Sequence, residues 1–408
     1  MKSAMIKPLL GLASTLVILT IVEVGLRLSD YDPNTSPWYR FDPDLGWTLD
    51  PVHRRVPGLN SRGFRSPEVS RTKPEGTRRL LNLGDSFSAG MNVPYGETYP
   101  GLLAHRLNQN GESWEVVNLA VGDWGTNQQL IALETLGLDL KPDVVVLQVF
   151  PFNDLCNNSV ELAHTCSMQD LFRPYLNPTV PDLEPVFLDP VRAGLRRRFR
   201  IFGLVEEPAV RASFWYQGIR AGDGRSTQRY FLKHARRAGL SVTGALASLL
   251  PEEHQPPPLR RAWNDTGSAL KGVKGLLDKH RIPLIALVIP YKWTLSELWV
   301  QYKQGKPEGM DPRYGTNRVE GILSDLGATV ISIRRSFEAS STPIKEFFLT
   351  DSHFNQNGHA HAAEQILDKM REAGWTQSRS QNQEIDSIRA DLERSRRELF
   401  GCEPCPSE

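Results

Sequence analysis

A serine hydroxyl is a poor nucleophile at neutral pH. It needs a base within hydrogen-bond reach, and the base needs a third group to hold its tautomer. Three stretches of this chain carry residues of those types. Ser86 lies in Gly84-Asp85-Ser86-Phe87-Ser88. Asn153 lies in Phe150-Pro151-Phe152-Asn153-Asp154. Asp351 and His353 lie in Thr350-Asp351-Ser352-His353-Phe354-Asn355. His353 is the candidate base for Ser86, and Asp351 the candidate orienter of its imidazole. A spacing of two predicts both side chains on one side of an extended segment. An oxyanion formed at Ser86 would need preorganised donors. The candidates are the Ser86 amide, a backbone amide at Gly122 or Asp123, and the Asn153 side-chain amide. Gly84-Asp85-Ser86 alone is weak evidence, because serine after a turn also serves as a helix N-cap.

The surrounding elements decide whether these groups can meet. Arg79–Gly84, Glu115–Ala120, Asp143–Val149, Pro283–Ile289 and Ala328–Ile333 read as strands. The third is too continuously apolar to be half exposed, which is typical of parallel sheets covered on both faces. Helical spacing runs through Tyr99–Asn108, Gln128–Leu138, Trp263–Lys279 and His359–Ala373. Strands alternating with helices predict an α/β fold with a doubly wound parallel sheet and right-handed crossovers. Such sheets place their sites at the carboxyl ends of the strands. Ser86 follows the first strand, Gly122 and Asp123 the second, and Asn153 the third, so all gather along one edge.

At these residues the sequence resembles the SGNH (GDSL-type) hydrolases, whose four blocks supply a Ser, a Gly, an Asn and a His. The resemblance covers roughly Arg79–Asp154 and Pro283–Met370. It implies a three-layer, flavodoxin-like fold and ester hydrolysis or acyl transfer without metal or cofactor. It also implies that Ser86 is the nucleophile, Asn153 an oxyanion-hole donor, and His353 with Asp351 the catalytic pair. Two positions depart from the common pattern. The second-block glycine often falls where Asp123 aligns. Asp-x-His is shorter than the usual Asp-x-x-His and is similar to alginate-acetylation-type members. The function that follows is a serine esterase acting on O-acyl esters of an extracytoplasmic carbohydrate or lipid. The alternatives are an O-acetyltransferase acting on polysaccharide and a catalytically inactive carbohydrate-binding module.

Other residues invite chemistry less strongly. His359 fits the first turn of the last helix, capped by Asn355 or Asn357. Asp154 is a second acid or a turn residue. Trp124 and Trp293 stack on a sugar or, more simply, pack in the core. Ser88 stands where an α/β-hydrolase elbow would have its second glycine. Neither a phosphate loop nor His-Glu-x-x-His is present.

The chain has 48 basic and 47 acidic residues, a net charge of +1. That balance supplies no electrostatic footprint for nucleic acid. The cluster Arg196-Arg197-Arg198-Phe199-Arg200 reads as a solvated helix face. Lys2 and Lys7 precede an apolar run from Pro8 to Val22, with no Ala-x-Ala cleavage pattern after it. This predicts an uncleaved anchor over residues 1–28, its N-terminus cytoplasmic and its body periplasmic or extracellular. An extended lead-in over 29–76 is expected to wrap onto a hydrolase domain over 77–375. Turns are predicted at Asp42-Pro43 and Pro57-Gly58. An insertion at about 166–258 would form a lid or substrate cap. A charged helical tail covers 376–408. Cys156 with Cys166, and Cys402 with Cys405, are spaced to close locally in an oxidising compartment.

Overall fold

The computed structural model describes residues 2–28, 39–51, 56–109, 111–162, 165–166, 173–176, 185–187, 191, 194–195, 198–202, 232–295 and 309–376. The tail helix, the pair Cys402 and Cys405, and most of the insertion, including its aromatic run, lie outside these residues.

Helix α1 spans Lys2–Leu28. Its stretch Leu10–Leu28 is long and apolar enough to cross a membrane, with 19 residues and mean hydropathy 1.7. The lead-in holds an antiparallel hairpin, β1 (Tyr39–Asp42) and β2 (Gly46–Leu49), where the sequence predicts only extended chain. The turn expected at Asp42-Pro43 closes it: Asp42 Oδ1 accepts from the Asp44 and Leu45 amides at 3.0 and 2.8 Å.

The body is built on β3 (Arg78–Gly84), β4 (Trp114–Ala120), β5 (Val144–Val149), β8 (Leu284–Val288) and β9 (Thr329–Ser332). These pair in parallel in the order β4-β3-β5-β8-β9. This is the doubly wound, flavodoxin-like order, whose switch point lies between β3 and β5. The intervening strands β6 (Pro174–Leu176) and β7 (Pro185–Phe187) form a separate antiparallel pair. Strand residues alternate between two apolar layers. Leu81, Val117, Leu147 and Val288 enter one, and Leu80, Val116, Val146 and Leu287 enter the other. Burial on both faces explains the continuously apolar strands.

Helices cover both faces. Between β3 and β5 come α2 (Ser86–Ala89), α3 (Tyr99–Leu107) and α4 (Thr126–Ala132). Then follow α5 (Pro151–Asn157), α6 (Gly244–Ala247), α7 (Pro257–Lys279), α8 (Tyr314–Asp325), α9 (Ile333–Phe337), α10 (Pro343–Phe347) and α11 (Gln356–Glu372). Helix α7 begins six residues before the expected start at Trp263, because proline at the first helical positions starts a helix rather than breaking one. The second expected helix ends early, at Ala132, and passes into a wider turn over Leu133–Gly137. Asn355 caps α11, accepting from the Gly358 amide at 3.0 Å. His359, Ala362, Ala363, Ile366, Leu367 and Met370 form that helix's buried face. Cys156 and Cys166 are disulfide-bonded.

Candidate active site

Strand β3 ends at Gly84, and Asp85, Ser86 and α2 follow at once. A Cβ on Gly84 would collide with Ser88 and come within 2.7 Å of Gln148 Oε1, so only glycine lets the chain turn here. Asp85, not Ser86, is the N-cap: its Oδ1 accepts from the Phe87 amide at 2.8 Å. The capping role that could have explained Ser86 is therefore taken. Ser86 opens the helix with its hydroxyl 2.9 Å from His353 Nε2.

A buried polar network holds α2 from below. Gln148 Oε1 accepts from the Asp85 amide and the Ser88 hydroxyl at 2.9 and 3.0 Å. Ser88 also bonds the Tyr99 hydroxyl, which donates to Asn82 Oδ1 at 2.8 Å. Asn118 Nδ2 donates to Ser88 O at 3.0 Å. Arg65, 2 % exposed, donates to the carbonyls of Ala89, Gly90, Val93 and Pro57. None of these supports is marked by a motif in the sequence. One signal was present: Gln148 and Asn118 are polar residues inside largely apolar strands, and both are buried, where an unpaired amide would cost about 1–3 kcal/mol.

The segment carrying Asp351 and His353 is a tight turn, not the extended stretch expected. Ser352 sits in the left-handed region at φ 82°. The Leu349 amide donates to His353 O at 2.7 Å, and an isolated bridge joins Phe348 to Phe354. This turn, rather than strand alternation, brings the two side chains together. Asp351 Oδ2 lies 3.3 Å from His353 Nδ1, without the alignment of a formed hydrogen bond. Asp351 Oδ1 accepts from the His353 amide at 3.0 Å, and Asn92 Nδ2 donates to Oδ2 at 2.7 Å. Lys292 is buried beneath the turn and donates to the carbonyls of Leu349 and Thr350 at 2.9 and 2.7 Å. Burial pushes the Asp351 carboxyl up. The His353 amide and imidazole and the Lys292 charge outweigh it and hold the pKa below the usual carboxylate range. Asn92 and Lys292 carry no signal in the sequence, since neither lies near a recognisable block.

Asn153 occupies the first turn of α5, beyond β5. Its Nδ2 donates to Asp85 Oδ2 at 3.3 Å, which leaves a second N–H on the same nitrogen. Asp154 faces inward and is fully buried, accepting from the Phe150 amide at 2.7 Å and from Thr126 Oγ1 at 3.3 Å. Burial raises the pKa of Asp85 and raises that of Asp154 further, with the Asp85 charge adding to the latter. Asp154 is thus a structural acid at the start of α5.

The second-block loop lies beside the serine: a Cβ placed on Gly122 would stand 3.9 Å from Ser86 Cβ. Asp123 adopts φ 67°, the left-handed region that glycine enters freely and aspartate tolerates better than most residues. Asp123 O accepts from Asn157 Nδ2 at 3.2 Å and from Arg173 at 2.8 Å. Trp47 Nε1, from the lead-in hairpin, donates to Gly122 O at 3.1 Å. In a trans peptide the N–H points opposite to the carbonyl. The Asp123 N–H is therefore turned away from Trp47.

The remaining candidates are structural. His359 is buried, its pKa lowered to about 3 by burial with the Arg65 and His353 charges adding, and its Nδ1 accepts from the Tyr99 amide at 3.3 Å. Trp124 is buried, donating through Nε1 to Trp47 O at 3.1 Å. Trp293 is half-buried against Lys292.

The chain is 32% identical over 75 residues to an arylesterase of Vibrio mimicus. That segment is 18% of this chain and 38% of the arylesterase, so the chain spans under two-fifths of that relative's length. Fold, block order and geometry now stand together. The constellation resembles that of the SGNH-type hydrolases. No family model matches the chain. Among solved structures, the body is similar to TesA, at 12% identity and TM-score 0.37, over 72% of this chain and 98% of that one. It is similar to a lipase/acylhydrolase from Enterococcus faecalis, at 13% and 0.38, over 74% and 99%. It is also similar to the acetylxylan esterase Axe2 from Geobacillus stearothermophilus, at 11% and 0.38, over 74% and 97%. Asn153→Ala is expected to lower kcat by roughly 10²–10³-fold, the usual cost of losing one oxyanion donor, with KM little changed. Steady-state kinetics on p-nitrophenyl acetate check it; a KM effect alone would place Asn153 in substrate binding.

Proposed function

We propose that this protein is a serine esterase that cleaves O-acyl esters through an acyl-enzyme at Ser86. The observation that carries the reading is the 2.9 Å contact between Ser86 Oγ and His353 Nε2 at the switch point of the sheet. Ser86 Oγ attacks the acyl carbon while its proton passes to His353 Nε2. The oxyanion is received by the second Asn153 N–H and by the Ser86 and Asp123 amides. Collapse breaks the acyl–oxygen bond, and the leaving alkoxide takes the proton from His353. A water molecule then repeats the sequence on the acyl-enzyme, releasing the acid and restoring Ser86. Asp351, drawn onto Nδ1, holds the tautomer in which Nε2 is the acceptor. Its 3.3 Å separation suits a contact that tightens when substrate binds.

The anchor reading of α1 joins this proposal. The span Leu10–Leu28, with Lys2 and Lys7 before it, would hold the body on the periplasmic or extracellular side. The Cys156–Cys166 disulfide favours that oxidising side. There the substrate class is an O-acylated carbohydrate or lipid. The domain limits at residues 28, 76 and 375 are part of the same proposal.

A fluorophosphonate probe tests the reading directly. Labelling is expected on the peptide containing Ser86, abolished by prior heating. A folded chain that never labels would instead support a carbohydrate-binding module. The Asp-x-His spacing keeps acyl transfer as the second reading, because it resembles that of alginate-acetylation-type members. Mass spectrometry of a glycan incubated with an acyl donor separates the two. Free acetate without acceptor modification supports hydrolysis.

A further inference from the structure

We infer that residues 198–202 form a bilayer-facing collar around the end of α1 that takes an anionic phospholipid surface. The inference rests on the anchor reading of α1. In sequence the arginine cluster looked like a solvated helix face. Its described part, Arg198 to Arg200, is docked on the last two turns of the apolar helix. Glu23 is only 9% exposed, and its carboxylate accepts from the Arg200 and Ile201 amides at 3.2 and 2.9 Å and from Arg27 Nε at 2.7 Å. Arg27 donates onward to Arg198 O at 2.7 Å, and the Arg200 guanidinium to Leu26 O at 2.9 Å. These bonds run in both directions between helix and segment, so the two ends are fixed at one level.

That level is the membrane interface. A carboxylate and an arginine one turn apart are costly in hydrocarbon, so the Glu23–Arg27 end of the span emerges among the headgroups. The docked segment must emerge there too. Its exposed groups suit that layer: Phe199 is 44% exposed and Arg198 projects beside it. Upstream, Val191 is 69% exposed, and Val191, Leu195, Phe199 and Phe202 recur at helical spacing among Arg192, Arg196, Arg197, Arg198 and Arg200. A basic segment with an apolar stripe is the composition that lies in an interface and is drawn to anionic lipid. The collar would set the height and tilt of the catalytic body above the bilayer, a role the single helix cannot fulfil alone.

The test uses the full chain in nanodiscs of equal parts phosphatidylcholine and phosphatidylglycerol. The photo-cross-linker p-benzoylphenylalanine replaces Phe199, Leu16 or Val160 in turn, and turnover of p-nitrophenyl acetate verifies that each variant folds. Lipid adducts are expected at positions 16 and 199 and absent at 160, on the body. At 199, phosphatidylglycerol adducts should exceed phosphatidylcholine adducts several-fold, and Arg198→Gln should reduce that excess. Adducts at 16 but not at 199 overturn the collar and leave the anchor standing. Adducts at neither overturn both. Equal adducts of the two lipids at 199 overturn the anionic preference.

Discussion

Ser86→Ala protein is expected to lose about 10⁵–10⁶-fold in kcat on p-nitrophenyl acetate while its melting temperature stays within a degree or two. The size follows from the geometry. Removing Oγ removes the atom that forms the acyl bond, and what remains is binding and oxyanion stabilisation around an attacking water. Stability is spared because Ser86 carries no capping duty: Asp85 caps α2, and Gln148, Ser88 and Tyr99 hold it without Oγ. His353→Ala should cost nearly as much. The double variant should be little worse than either single one, since Ser86 and His353 act as one unit across 2.9 Å. Additive losses in the double variant would mean that the two groups act in different steps, and unchanged turnover in Ser86→Ala would remove the assignment.

Arg65→Met is expected to be the most destabilising of the simple substitutions considered for this chain. The guanidinium is buried and satisfies four carbonyls: Pro57 in the lead-in, and Ala89, Gly90 and Val93 in the loop that leaves α2. Methionine fills similar volume and donates nothing. Each orphaned carbonyl costs about 1–3 kcal/mol unless water reaches it. A net loss of at least about 3 kcal/mol, or roughly 5 °C in melting temperature, is expected for a body of this size. Thermal melts of the two proteins under one buffer measure it. A shift below a couple of degrees would show that the lead-in is dispensable to the fold around Ser86. Activity at low temperature should survive better than stability, because Arg65 touches the nucleophile loop only through backbone carbonyls.

Much of this architecture was legible from local pattern. Runs such as Val144–Val149 are apolar on both faces because helices cover both sides of a parallel sheet, so the five strands of the body were recognisable one at a time. Strand ends then located Ser86, Gly122 and Asn153, because an open α/β sheet has its crevice at one edge. The hairpin Tyr39–Leu49 was not legible. Its four-residue strands are held by Trp47 on Gly122 and by Gln128 on Leu45, partners some eighty residues away.

The sequence by itself determined which residue types are available for nucleophilic chemistry, and in what order along which edge. Only the tertiary structure decided how they are held. Asp351 and His353 meet through a turn with Ser352 left-handed, and Lys292 and Asn92, from distant loops, fix that turn. Asp123 takes a left-handed backbone because Asn157 and Arg173 pin its carbonyl. The physical reason is common to both. Strand and helix periods are written in neighbouring residues, whereas the supports of a catalytic turn are hydrogen bonds across the fold, whose partners carry no mark of one another in the chain.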